Sequence, residues 1–91
     1  MRQCLERQAA LESVLNCFVT PTPEIALEAA RRAEQAVMDG APLGPLHGVP
    51  ISVKDLIAVG GVRQTFGSRT LTDNIATSDA PSVERVKAAG T

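Results

Sequence analysis

The sequence contains few of the residues on which several classes of protein depend. Tryptophan and tyrosine are absent, and Phe18 and Phe66 are the only aromatic residues, too few for stacking on nucleic-acid bases. The formal net charge is −1, so no excess of positive charge favours binding to nucleic acid. Two cysteines and one histidine are too few for a disulfide scaffold or a zinc site. We therefore expect no nucleic-acid contact, no metal and no cofactor.

Long apolar segments are missing too. No run of about 18 apolar residues is present, which excludes a transmembrane helix of ordinary length. The N-terminal residues, Met1–Arg7, lack the apolar core of a signal peptide. These absences predict a cytoplasmic protein that makes no contact with a membrane.

Length and composition limit the hydrophobic core. A chain of 91 residues removes only roughly 60–65% of its unfolded surface from water on folding. Thirteen of the apolar residues are alanines, which contribute little on burial. We therefore expect the chain to be part of a larger fold and to be only marginally ordered by itself.

Apolar spacing and end signals predict three helices. The second helix has the clearest signals, since Thr22 is a good N-cap, Pro23 suits the first helical position and Gly40 suits a left-handed terminator. Asp79 is the predicted N-cap of the third helix, which Gly90 is expected to end. The three predicted helices cover residues 2–16, 23–39 and 80–89.

Two strands are predicted between and beside these helices. Residues 17–20 are short, β-branched and apolar, and prolines follow them. Residues 49–54 alternate apolar and polar side chains, which is the period of a strand. Prolines and glycines between residues 40 and 50 predict a loop of fixed conformation, whereas residues 57–77 are predicted to be mostly irregular. The mixture of helices and strands predicts an α/β fold.

Lys54 is the residue whose position points most directly to chemistry. It lies near the C-terminal end of the second predicted strand, where burial would lower its pKa. A neutral lysine can take a proton from a hydroxyl group. The alternative is a lysine at the end of a strand whose side chain lies in water, which is the commoner situation.

The segment around Lys54 resembles the amidase signature family. Residues 44–55 read GPLHGVPISVKD, which is similar to the family's G-P-L-x-G-[VI]-P-x-x-[VIL]-K-[DE] segment. This motif is long and restrictive, and the resemblance covers nearly the whole chain. Its other parts are Leu15–Val19, Gly61-Val62, Thr65, Gly67-Ser68 and the helix from Asp79 to Gly90.

The resemblance implies amide hydrolysis by a Ser–cis-Ser–Lys triad within a mixed sheet flanked by helices. Lys54 matches the lysine, which accepts a proton through a bridging serine while a second serine attacks the carbonyl carbon. Backbone N–H groups then stabilise the oxyanion. Residues that the resemblance places in supporting roles for loop and strand geometry are Gly48, Pro50, Asp55, Gly67 and Ser68.

The two serines of the family triad are not found in this sequence. The family places them in a GGSSGG-like segment well after the lysine, and none of the serines here has such a setting. Ser52 is a poor substitute, because residues i and i+2 of a strand lie roughly 6.6 Å apart and a working pair needs about 3 Å. We therefore expect residues 1–91 to be the N-terminal part of an amidase domain, truncated before the serine motif and inactive alone.

The remaining candidates are given structural roles. Asp55 either pairs with Lys54, holds the loop by hydrogen bonds or is a turn aspartate in water, and all three possibilities stay open. His47 is interpreted as a loop residue. The two cysteines, Cys4 and Cys17, are interpreted as core residues.

Three functions remain possible. The first is an amidase that acts on a small-molecule amide, with the remainder of the amidase chain as its partner. The second is the amidase subunit of a glutamyl- or aspartyl-tRNA amidotransferase, which releases ammonia from glutamine for partner subunits. The third is a non-catalytic small α/β module for binding or assembly.

Overall fold

The computed structural model describes all residues, Met1–Thr91. It contains three α-helices and one short 3₁₀-helix, Arg69–Leu71. The chain divides into two compact units, Met1–Leu43 and Gly44–Thr91. The α-helices are α1 (Arg2–Leu15), α2 (Pro23–Met38) and α3 (Pro81–Ala88).

The first unit consists of α1, α2 and the segment between them. The helix α2 begins directly after Thr22 with Pro23 at its first position, as predicted. Gly40 follows it with a φ of 66°, and its N–H donates to the Val37 carbonyl at 3.1 Å. The Ala41 N–H donates to the Ala36 carbonyl at 3.0 Å. These two bonds form a Schellman motif, which confirms Gly40 as the terminator.

The second unit has a small core around an antiparallel contact. The Gly61 and Gln64 N–H groups donate to the Ala76 and Asn74 carbonyls at 2.8 and 2.9 Å, and the Ala76 N–H returns a bond to the Val62 carbonyl at 3.0 Å. The buried residues of the whole chain all lie in this unit. They are Gln64, Thr65, Ala76 and Val83.

The predicted α/β fold class is wrong for these 91 residues, because the structure contains no strand or sheet. Residues 17–20 and 49–54 have no regular secondary structure. The one β-type pairing is an isolated antiparallel bridge between Arg63 and Ile75, within the segment predicted to be irregular. A strand exists only when its backbone pairs with a neighbour, and these residues do not provide one for either segment.

The start of α3 differs from the prediction as well. Ala80, rather than Asp79, occupies the N-cap position. The Asp79 carboxylate instead accepts hydrogen bonds from the Gly60 N–H and the Lys87 Nζ, both at 2.7 Å. Asp79 therefore ties α3 to the loop before the antiparallel contact, because these two donors compete successfully for its oxygens.

Most large apolar side chains are exposed in this structure. Seventeen of them, distributed over both units, lie at the surface, whereas only Ala76 and Val83 form the apolar core. Both cysteines are free and exposed, so their interpretation as core residues is wrong. None of the helices combines the length and the apolar character needed to cross a membrane.

Candidate functional site

The first part of the site is the loop of residues 44–48, which packs on the C-terminal end of α3. The Leu46 N–H donates to the Ala89 carbonyl at 2.8 Å, and the Gly48 N–H donates to the Gly90 carbonyl at 2.9 Å. A Cβ atom at Gly44 would lie 2.3 Å from the Ala89 carbonyl oxygen. The loop therefore approaches the helix end so closely that only glycine fits at this position.

Lys54 follows this loop and has an exposed side chain. It takes part in none of the ion pairs of the chain. Its backbone carbonyl accepts a hydrogen bond from the Ile57 N–H at 2.8 Å, which closes a turn directly after the lysine. The burial predicted for Lys54 is thus not present within these residues, and its catalytic role stays a prediction.

Asp55 is the most highly connected of the predicted site residues. Its carboxylate accepts hydrogen bonds from the Thr65 N–H at 2.9 Å, from the Thr65 hydroxyl, and from the Gly67 N–H at 3.2 Å. The Thr65 hydroxyl oxygen also accepts from the Gly67 N–H at 3.1 Å. Of the three arrangements considered for Asp55, the structure has the hydrogen bonds to the loop and not the ion pair with Lys54 or the solvated carboxylate.

The backbone held by Asp55 has an uncommon conformation, which we call the 65–68 turn. The Ser68 N–H donates to the Thr65 carbonyl at 2.9 Å, and the two residues between them, Phe66 and Gly67, have φ values of 54° and 71°. Two central residues with positive φ are typical of a type I′ turn. A bulky residue such as Phe66 rarely adopts this conformation, so the hydrogen bonds that its two neighbours donate to the Asp55 carboxylate stabilise a strained backbone.

The predicted supporting residues fall into two groups. Asp55, Gly67 and Ser68 come together at the 65–68 turn, where the Ser68 hydroxyl also accepts from the Thr70 N–H and caps the 3₁₀-helix. Gly48 lies instead at the contact with α3, with a φ of 73°, and Pro50 lies exposed two residues further on. Their roles in supporting catalysis stay predictions.

Sequence reasoning did not give Thr65 and Phe66 a role in the site. Thr65 entered only as a matching letter of the family pattern, although it supplies two of the three donors to Asp55. A threonine two residues before a glycine is a weak turn signal, and it does not reveal which distant carboxylate it will meet. No three His, Cys, Asp or Glu side chains lie close enough together to hold a metal ion.

The hydrogen bonds to Asp55 and Asp79 lower the pKa values of both carboxyl groups. The Thr65 hydroxyl, followed by the Thr65 and Gly67 N–H groups, lowers the pKa of Asp55. Lys87, followed by the Gly60 N–H, lowers the pKa of Asp79. Both effects favour the ionised carboxylate in the folded state.

We expect these two aspartates to make the second unit sensitive to acid. A folded-state pKa below the unfolded value gives stability that is present above the unfolded pKa, about 4 for aspartate, and is lost as the pH falls through the folded value. Amide exchange at Thr65, Gly67 and Gly60 should therefore accelerate as the pH falls below about 4, after correction for the intrinsic exchange rate. In Asp55→Asn the acceleration should disappear at Thr65 and Gly67 but persist at Gly60. An unchanged profile at Thr65 in that variant would contradict the assignment.

Comparison with known proteins gives matches over all or nearly all of the chain. A family model described as Amidase matches residues 1–91. A glutamyl-tRNA(Gln) amidotransferase subunit from Methylococcus capsulatus is 46% identical over 86 residues, which cover 94% of this chain and 18% of that protein. The corresponding protein of Chloroflexus aurantiacus is 44% identical over 87 residues, covering 96% of this chain and 18% of that protein.

A solved structure also matches nearly the whole chain. It comes from work on a vestigial protein complex and the evolutionary origins of an s-triazine catabolic enzyme. The TM-score is 0.90 and the sequence identity is 32%, over 98% of this chain and 20% of that chain. The chain thus spans about a fifth of the length of the proteins that it matches.

Proposed function

We propose, since this chain belongs to the amidase family, that it contributes the lysine of an amidase, a hydrolase acting on carbon–nitrogen bonds other than peptide bonds. The single observation that carries the proposal is the Amidase match over residues 1–91, with the GPLHGVPISVKD segment inside it. Residues 1–91 are proposed to form the N-terminal part of the amidase domain. The small apolar core, Ala76 and Val83, beside seventeen exposed large apolar side chains supports this, because a short chain buries too little apolar surface to be stable by itself.

The proposed mechanism follows the family triad and assigns one proton acceptor to this chain. The Nζ of Lys54 accepts the proton of a bridging serine, which accepts the proton of the nucleophilic serine. The oxygen of the nucleophilic serine then bonds to the amide carbonyl carbon. As the carbon–nitrogen bond breaks, a proton passes from the bridging serine to the leaving nitrogen, and the lysine returns its proton to the bridging serine. Water hydrolyses the resulting ester in a second step. Both serines belong to residues outside 1–91.

A second candidate is the amidase subunit of a tRNA-dependent amidotransferase. The relatives from Methylococcus and Chloroflexus, at 46% and 44% identity, are both named as glutamyl-tRNA(Gln) amidotransferase subunits, whereas the structure connected with s-triazine catabolism is 32% identical. In this case the substrate is the amide of glutamine and the partners are the other amidotransferase subunits. The cytoplasmic location predicted from the sequence fits either candidate.

The non-catalytic module is the third candidate, and the exposed side chain of Lys54 favours it. It predicts that these residues cannot restore hydrolysis in any context. A catalytic segment predicts the opposite, so one experiment separates the two.

The experiment places these residues in a complete relative. In the Methylococcus amidotransferase protein, whose matched region is 46% identical, that region is replaced by residues 1–91 and the product is assembled with its own partner subunits. We expect the chimera to hydrolyse glutamine well above the protein that lacks the region, and the isolated chain to show no hydrolysis and no labelling by a serine-reactive probe. A folded chimera without activity would favour the non-catalytic module. Labelling of the isolated chain would contradict the absence of a nucleophile.

A further inference from the structure

We propose that Asp55 is a positioning residue for Lys54, acting by fixing the backbone from which the lysine side chain projects. The proposal rests on the proposed function and deepens it, because it adds to the lysine the group that holds it. The carrying observation is that the residue directly after Lys54 is bonded three times to the 65–68 turn.

The first step is the fixation of the chain on the C-terminal side of Lys54. The Lys54 carbonyl is held by the Ile57 N–H at 2.8 Å, and the next side chain is held by Thr65 and Gly67. Thr65 is 5% exposed, so two of the three bonds to the carboxylate are made by a buried residue. Bonds to an ionised acceptor in such a place are stronger than ordinary neutral ones. The Cα of Lys54 is therefore restrained through the peptide unit that it shares with Asp55.

The second step is the fixation on the N-terminal side. The Gly48 N–H is held by the Gly90 carbonyl at 2.9 Å, six residues before Lys54. The lysine thus lies between two anchors of the same unit, one at the end of α3 and one at the 65–68 turn. The anchor at the 65–68 turn is held by Asp55, which is the residue next to the lysine, whereas the anchor at α3 is six residues away. The loss of the Asp55 carboxylate should therefore change the position of the lysine most.

The third step is the conformation that Asp55 maintains. Phe66, with a φ of 54°, is flanked by the two residues that donate to Asp55. Strained backbone persists only where the surrounding structure determines it, and such positions are concentrated at functional sites. Without the carboxylate, the turn would relax and the end of the Lys54 segment would move with it. A displacement of about 1 Å at a reacting group can cost on the order of 100-fold in rate.

The test compares two aspartates in the active chimera. Asp55→Asn removes the charge and one acceptor beside Lys54. Asp79→Asn is the matched control, because Asp79 is also partly buried, also accepts a backbone N–H, and holds α3 instead. We expect Asp55→Asn to lower kcat by about 10- to 100-fold with little change in KM, and Asp79→Asn to change kcat less than about threefold. Thr65→Val, which removes only the hydroxyl donor, should lower kcat in the same direction by a smaller factor.

A double substitution shows whether Asp55 acts through Lys54. In a Lys54→Met background, Asp55→Asn should cost less than about twofold, since the group that it positions is gone. If Asp55→Asn lowered kcat by the same factor with Lys54 present and in the Lys54→Met background, the proposal would be overturned. It would also be overturned if Asp55→Asn and Asp79→Asn lowered kcat equally, each in proportion to its loss of thermal stability. If Lys54→Met itself leaves kcat unchanged, the proposed function fails. If Lys54→Met is inactive while Asp55→Asn and Thr65→Val are fully active, only the present inference fails.

Discussion

Replacing Lys54 by methionine in the chimera should lower kcat by roughly 10³-fold, within the range that general-base groups contribute. Methionine matches the apolar stem of lysine as far as Cε but offers no nitrogen to accept the proton of the bridging serine. The nucleophilic serine would then attack as a neutral alcohol, which is a weak nucleophile. KM should change little, because the lysine acts on the proton of a serine and not on the bound amide. Steady-state kinetics of glutamine hydrolysis measures both quantities.

Two further substitutions make this prediction specific. Lys54→Arg keeps a positive charge but cannot give up its proton in a protein, so it should be as inactive as methionine. Lys87 is the only other lysine of the chain, and its half-exposed ammonium pairs with Asp79, a type of contact that contributes little to stability at a protein surface. Lys87→Met should therefore remain active. Substantial activity in Lys54→Arg would show that charge, rather than proton acceptance, is what the site requires.

The helices were predictable because their signals are local. Gly40 and Gly90 end α2 and α3 in left-handed conformations, and Pro23 begins α2, each for a reason contained in a few neighbouring residues. The N-cap of α3 was wrong for the opposite reason. Asp79 finds its partners at Gly60, nineteen residues earlier in the chain, and at Lys87, eight residues later, and spacing along the sequence does not show such contacts.

The strands were not predictable from local pattern alone. Residues 49–54 alternate apolar and polar side chains as a strand does. Alternation indicates which side chains would lie on the same face of a strand, but it does not show whether a neighbouring strand is present to pair with it. The same limit applies to Lys54, since the burial expected for it depends on what covers the segment. The alternation in residues 49–54 therefore predicted a strand, and with it an α/β fold class, that these residues do not form.

The family motif named three residues that the structure brings together, but it did not name the residues that only tertiary contact places beside them. The pattern contains Asp55, Gly67 and Ser68, and the structure brings these three to one turn. It does not reveal that Asp55 turns toward Thr65 rather than Lys54. Nor does it reveal the positive φ of Phe66, because phenylalanine carries no intrinsic preference for that region.

Among the glycine-to-alanine substitutions in the second unit, Gly44→Ala should lower the free energy of unfolding most. The added Cβ would lie 2.3 Å from the oxygen and 2.7 Å from the carbon of the Ala89 carbonyl. These are backbone atoms, and the same oxygen accepts the Leu46 N–H, so relief of the overlap requires breaking that bond. We expect a cost of about 2–3 kcal/mol, as for other overpacked positions, and amide exchange at Leu46 and Gly48 faster by roughly 30- to 150-fold.

Gly60→Ala is the matched control for this prediction. Its Cβ would lie 3.3 Å from the nearest atoms, which belong to Ser78, and a shift of a few tenths of an ångström relieves that contact. We expect it to accelerate exchange at Leu46 and Gly48 less than about fivefold, because it lies outside the 44–48 loop. If Gly44→Ala and Gly60→Ala had equal effects at those two amides, the close approach of the loop to α3 would not be the contact that holds it. A selective effect of Gly44→Ala would instead show that close packing against the Ala89 carbonyl requires glycine at this position of the family segment. Detaching the loop from α3 would also release the N-terminal anchor of Lys54, the hydrogen bond from the Gly48 N–H to the Gly90 carbonyl.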